Sequence, residues 1–196
     1  MAVLVYSNLI SAQTFTNYTT SDGLVSNNVH CVDVATGDVI WFGTQQGVSV
    51  FDGTVWTTHS TSTDTGFIDN NVSSILVTAT QNIWIGTDFG VSFYNGTNWI
   101  SYDESDGLGD NRVKYIAEDN LGNIWFSEQD GLTKFDGSTW TSWNMSHGIP
   151  FGGTNYVIAA ANNDIWLSTP FSGFIHFDGT NFTGYNESTG LLSDAV

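Results

Sequence analysis

Residues 83–96 read Ile-Trp-Ile-Gly-Thr-Asp-Phe-Gly-Val-Ser-Phe-Tyr-Asn-Gly. Two short apolar runs are separated by Gly-containing turns, and β-branched and aromatic residues dominate both. That composition predicts two adjacent strands rather than a helix. The stretch is one copy of a repeat. Ile-Trp pairs recur at Ile40-Trp41, Ile83-Trp84, Ile124-Trp125 and Ile165-Trp166, with the Trp residues 43, 41 and 41 positions apart. Gly23, Gly66, Gly107, Gly148 and Gly190 open successive units. The pairs Asp52-Gly53, Asn95-Gly96, Asp136-Gly137 and Asp178-Gly179 keep the same phase. So do the aromatics Phe15, Trp56, Trp99, Trp140 and Phe182, each followed three positions later by Tyr18, His59, Tyr102, Trp143 or Tyr185. A period of about 42 residues marks a propeller blade. The fold class expected is all-β: a β-propeller of four complete four-stranded blades, with spare strand segments at both termini.

Each unit divides into strands a to d. Strand a follows the opening Gly loop, as in Val29 to Val34, and strand b holds Ile-Trp. Strand c runs from the second Gly (Gly47, Gly90, Gly131, Gly173) to the Asp/Asn-Gly pair, and strand d carries the two aromatics. The Asp-Gly and Asn-Gly pairs predict two-residue c–d hairpins, in which both central residues take positive φ. The a–b turns draw on Gly, Asn and Asp, which tolerate left-handed backbone. The expected blades span about 23–59, 66–102, 107–143 and 148–185, followed by a partial repeat at 190–196. A blade cannot bury its own faces, so Trp41, Trp84, Trp125 and Trp166 are expected to fill the gaps between blades.

Charge narrows the partners. Three basic residues stand against 20 acids, a net charge of −17. No basic stripe is present to neutralise phosphates, which argues against nucleic acid and anionic membrane surfaces. No apolar run is long enough to insert in a bilayer. The single cysteine, Cys31, excludes an internal disulfide. Residues 1–14 stand apart from the propeller at 15–196. Val3, Leu4, Val5, Tyr6, Leu9 and Ile10 form an apolar stretch before Ser11-Ala12-Gln13. This reads either as the tail of a secretory signal peptide or as a strand donated to another copy, a route to self-association or a filament.

Chemistry is sparse. His30, His59, His147 and His176 lack metal-ligand spacing, and no nucleophile-elbow motif is present. No catalytic residue and no cofactor is expected. The densest acid cluster, Asp103, Glu104, Asp106 and Asp110, is a calcium candidate without the spacing of a known calcium loop. Among Asn-x-Ser/Thr sequons, Asn144 and Asn186 follow the last strand of a blade and are the acceptors a glycosylating host would use.

The pattern Gly-Leu-x-x-Asn-x-Val, Asp-x-x-Gly-x-Ile-Trp-x-Gly-Thr and Gly-Val-x-x-Phe-Asp-Gly resembles the two-component-regulator propeller repeat. Gly23 to Val29 and Ile83 to Thr87 are its cleanest copies here. Ser127 and Ser168 replace the Gly after Ile-Trp, and Pro150 to Thr154 interrupts the fourth opening loop. The resemblance implies a propeller of the kind found in periplasmic sensors and secreted proteins of Bacteroidetes. With the signal-like start, it points to a secreted, non-catalytic protein. Two roles are expected: a structural or assembly subunit that self-associates, or a sensor-type module reading a glycan or peptide.

Overall fold

The computed structural model describes residues 16–195. The segment Val3 to Ile10, read above as signal-like or strand-donating, lies outside the described residues. Four antiparallel sheets of four strands follow one another, each a simple meander. The first holds β1 (Val29–Ala35), β2 (Val39–Thr44), β3 (Gly47–Phe51) and β4 (Trp56–His59). The second holds β5 (Val72–Val77), β6 (Ile83–Thr87), β7 (Val91–Tyr94) and β8 (Trp99–Tyr102). The third holds β9 (Val113–Glu118), β10 (Ile124–Glu128), β11 (Gly131–Phe135) and β12 (Trp140–Asn144). The fourth holds β13 (Tyr156–Ala159), β14 (Ile165–Ser168), β15 (Phe174–Phe177) and β16 (Phe182–Tyr185). These are propeller blades, here numbered one to four.

The inner strands set the order of the blades: β1 packs along β5, β5 along β9, and β9 along β13. Each blade presents its Trp to the apolar face of the next. Trp41 enters a cluster with Val72, Ile75, Ile83 and Ile85. Trp84 enters one with Val113, Ile116, Ile124 and Phe126, and Trp125 one with Val157, Ile165 and Leu167. These three Trp are buried, at 3–7% exposure, as the repeat predicts. Trp166 differs. It is half-buried and touches rings only of its own blade, His176 and Tyr185, because no fifth blade stands against it among the described residues.

The c–d connections also differ from the expected two-residue turns. β3 ends at Phe51 and β4 starts at Trp56, leaving four residues between them. Only the Gly has positive φ, 92° at Gly53; the Asp does not. The Asp or Asn instead folds the loop with its side chain. Asp52 Oδ1 accepts from the N–H of Thr54 (2.8 Å) and Val55 (2.7 Å). Asn95, Asp136 and Asp178 repeat the arrangement. The carboxylates of Asp52, Asp136 and Asp178 are held below their ordinary range chiefly by these backbone N–H bonds. An Asx-type loop meets the same closure demand as a type I′ turn. The a–b turns use left-handed residues as expected, at Gly37, Asp38, Gln81, Gly122 and Asn163.

The Gly after Ile-Trp has a tertiary reason. A Cβ on Gly43 would collide with Cys31 Sγ and with Val72 of the next blade, and one on Gly86 would crowd Val113. Cys31 is free, and burial pushes its thiol up to about 12, which makes it a packing group rather than a nucleophile. In blade three Ser127 fills the Gly position, and its Oγ donates across to the carbonyl of Asn155 in blade four (3.0 Å).

Candidate ligand-binding face

Two ends of the blades are distinct. One carries the a–b and c–d turns. The other carries the b–c turns and the long connections between blades. Exposed large apolar groups at this end are Phe89, Met145, Phe151 and Phe171, at 60–81% exposure. Two of the three basic residues join them. Arg112 Nε lies 3.1 Å from Asp88 Oδ1. Lys114, on β9, points Nζ toward the Gly152 carbonyl (3.4 Å) and Asn155 Oδ1 (3.3 Å). Burial lowers the Lys114 amine below its ordinary value. A cavity of about 470 Å³ opens here, lined by Asp130, Asn144, Met145, Ser146 and the segment Pro150 to Gly153.

The segment Pro150 to Thr154, an interruption in sequence terms, is what builds this cavity. In blades one, two and four a Thr closes the b–c turn: Thr44, Thr87 and Thr169 donate Oγ1 to the carbonyls of Gly47, Gly90 and Gly173. Blade three has Glu128 at that position. Thr154 supplies the missing hydroxyl from outside the blade, donating to the Gly131 carbonyl (2.8 Å). A second exchange accompanies it. Val25, Ile68 and Gly109 donate their N–H to Ser49, Ser92 and Thr133. The fourth unit places Pro150, which has no N–H, in that donor position, and Ile175 in place of the hydroxyl. Donor and acceptor vanish together, so neither is left buried and unpaired.

Glu128 is buried at 1% exposure. Its Oε2 accepts from Thr133 Oγ1 (3.0 Å), while Oε1 has no partner. Burial pushes its carboxyl well above the ordinary range. The Thr133 bond opposes this, and the nearby Asp110 charge adds to it. Enclosed within the blade, it is a structural group. Asp119, in the Asp-x-x-Gly-x-Ile-Trp motif, collects four bonds. Oδ1 takes the N–H of Leu121 and Asn123, and Oδ2 takes Asn123 Nδ2 and Trp125 Nε1 (2.9 Å). Burial works to raise its pKa; the bonds outweigh this and leave it low.

The acid cluster is turn chemistry. Asp103 accepts from Ser105, Asp106 from the Asp103 N–H, Glu104 from the Asn111 N–H, and Asp110 from the Arg112 N–H. Among the described residues no group of three or more His, Cys, Asp or Glu is arranged to hold a metal ion. Asn144 and Asn186 both open short 3-10 turns: Asn144 Oδ1 accepts from the Ser146 N–H (3.0 Å), while the Asn186 N–H donates to Thr189 Oγ1 (2.7 Å); Asn144 is exposed and Asn186 half-buried. Two of the imidazoles pack on tryptophans. His59 stacks on Trp41 and contacts Asp64 (3.1 Å). His176 stacks on Trp166 with Nε2 at 2.9 Å from Asp164, without hydrogen-bond alignment.

The two component regulator propeller family matches residues 66–89 and 107–128, each an opening loop followed by strands a and b. Two of the chain's four units thus resemble that repeat. No curated protein matches the chain. The chain resembles the extracellular domain of a putative hybrid two component system from B. thetaiotaomicron, at 22% identity and TM-score 0.75. That match covers 85% of this chain and 24% of that one. It also resembles PorZ, a bacterial surface component of the type-IX secretion system of Porphyromonas gingivalis (20% identity, TM-score 0.65, 85% and 27% covered). Virginiamycin B lyase from Staphylococcus aureus shares the fold as well (14%, 0.64, 81% and 55%). The chain spans about a quarter of the length of the first two. Among the described residues no helix is long and apolar enough to cross a membrane.

Proposed function

We propose that this propeller is a non-catalytic, extracellular recognition module of the sensor type. It binds its ligand on the end that carries the b–c turns, at the boundary of blades three and four. The observation that carries this reading is the cavity beside Lys114, walled by Met145, Pro150 and Phe151. Exposed Phe and Met at one rim form the kind of apolar patch that marks a binding surface. Such a lining offers apolar contact and few hydrogen bonds, which favours a peptide with apolar side chains over a glycan. Lys114 and Arg112 add positive charge at this end, suited to an acidic group on the ligand. The regulator-type repeats support a sensing role. The strand exchange expected of Val3 to Ile10 carries no part of this reading.

The test is calorimetry on ligands drawn from peptide and glycan arrays. Phe151 is 81% exposed, so Phe151→Ala leaves the fold intact. With Met145→Ala it should weaken a true ligand about tenfold or more. Binding unchanged in that double variant would overturn the assignment, and binding of glycans alone would overturn the peptide preference.

A further inference from the structure

At the end that carries the a–b and c–d turns, the seams between blades one to four are built in one register and finished in three ways. Each seam has a strand-b Trp at its base: Trp41, Trp84 or Trp125. The residue opposite that Trp on strand c shares its face: Val50, Phe93 or Lys134. A left-handed residue in the a–b turn of the next blade stands at the mouth: Gln81, Gly122 or Asn163.

Between blades one and two the seam is closed. Gln81 spans it, its Oε1 accepting from the Thr36 N–H (2.8 Å), and His59 lies flat on Trp41 with ring centroids 5.8 Å apart. Between blades three and four the chain inserts a cation of its own. Lys134 Nζ lies 5.9 Å from the centroid of the Trp125 ring, within reach of a cation–π contact. Trp143, Phe177, Asp119 and Asp164 line the same crevice, and among the described residues Lys134 makes no ion pair. Between blades two and three, Gly122 has no side chain to span the gap, and Phe93 adds a ring where Lys134 adds a charge. The result is a cavity of about 310 Å³ walled by Trp84, Phe93, Tyr102 and Phe135. The Tyr102 ring lies 5.9 Å from Trp84 and 6.2 Å from Phe135, centroid to centroid. Glu118 lines it as well. Its Oε2 accepts from the Ala79 N–H of blade two (2.7 Å), which fixes the carboxylate at the seam.

We propose that the cavity between blades two and three binds an organic cation, a quaternary ammonium group. Four rings turn their negative faces and edges on one small space, and Glu118 supplies a formal negative charge beside them. A quaternary ammonium needs no hydrogen-bond acceptor, so a wall made chiefly of rings suits it better than it suits a sugar. The next seam shows the same chemistry satisfied within the chain, where Lys134 sets its ammonium over Trp125 in the matching place. The net charge of −17 raises the local concentration of any cation. The cavity lies at the low end of small-molecule sites, about 300–1,000 Å³. It stands at the opposite end of the blades from Lys114 and Phe151, and does not depend on the recognition face described there.

The experiment is titration of the full chain, followed by tryptophan fluorescence and calorimetry. The probes are choline, its uncharged isostere dimethylbutanol, and a short peptide carrying trimethyllysine. One saturable site is expected for a cation, with the isostere about tenfold weaker or worse. Saturation by choline assigns a free small cation, and saturation by the peptide alone assigns a protein-borne one. Gly122→Gln copies Gln81, whose backbone is equally left-handed (φ 67° against 80°), and a Cβ at Gly122 meets nothing within 4 Å. Phe93→Lys copies Lys134. Circular dichroism checks that both stay folded, and each should weaken the cation about tenfold or more. Glu118→Gln keeps an acceptor for Ala79 and should weaken it severalfold. Met145→Ala with Phe151→Ala should leave cation binding unchanged, which separates this site from the other end. Failure of both cations to saturate overturns the proposal. So does equal binding of the isostere, or cation binding insensitive to both Gly122→Gln and Phe93→Lys.

Discussion

Glu128 shows how one position in a repeat is exchanged and compensated. Thr at this point closes the b–c turn in the other three blades, and Thr154 takes over that bond in blade three. The buried carboxyl then carries a cost of its own. Its folded pKa is raised, so the neutral form is the one the fold accepts. Below the ordinary glutamate value both states are protonated and there is no penalty. As pH climbs past that value the unfolded chain releases its proton first, and stability falls until the folded carboxyl also ionises. The melting temperature should therefore fall between the ordinary glutamate range and neutral pH. Glu128→Gln should flatten that decline, read by calorimetry from pH 4 to 8. Asp119 acts in the opposite sense. Its depressed pKa gives stability that is present above the ordinary aspartate value and is lost as pH falls through its folded one. The Asp119 role is legible in the repeat motif, since an Asp before Gly-x-Ile-Trp closes the a–b turn locally. The Glu128 role is not, because Thr154 comes from a different unit.

At the scale of a strand and its neighbour, position along the arc decides what an Ile-Trp pair is worth. Trp84 is 3% exposed and touches Phe93, Tyr102, Phe126, Phe135 and Trp140. Trp84→Ala should cost about 3–5 kcal/mol. Trp166 occupies the same register on β14, half-buried against its own blade. Trp166→Ala should cost the single chain less than half as much, as urea unfolding of the two variants side by side would show. Strand positions are readable from Ile-Trp and the Gly landmarks because those residues recur in phase. The four-residue c–d loops are not, because Asp-Gly suits a two-residue turn equally well. Whether Asp takes positive φ or folds the loop with its side chain depends on the register that the neighbouring strands impose.

For the whole molecule, 20 acids and three bases leave a net charge of −17. Most acids cap turns at the ends of the blades, where their charges accumulate without cationic partners. Self-repulsion of this kind destabilises a compact state and is screened by salt. The melting temperature should rise as sodium chloride increases from about 10 mM to about 150 mM, where the Debye length shrinks to about 8 Å. A flat response would show that turn hydrogen bonds offset the repulsion locally.

The repeat period, the four-stranded blade and the poverty of catalytic motifs follow from sequence alone, since each rests on residue type and spacing within one unit. Three things rest on tertiary structure: that among the described residues Trp166 meets rings only of its own blade, that Ser127 Oγ reaches across to the next blade, and that Pro150 to Thr154 builds a cavity and repairs a neighbour's turn. Each depends on which units stand side by side in space. A local pattern repeats identically whether or not a next blade is there to bury it.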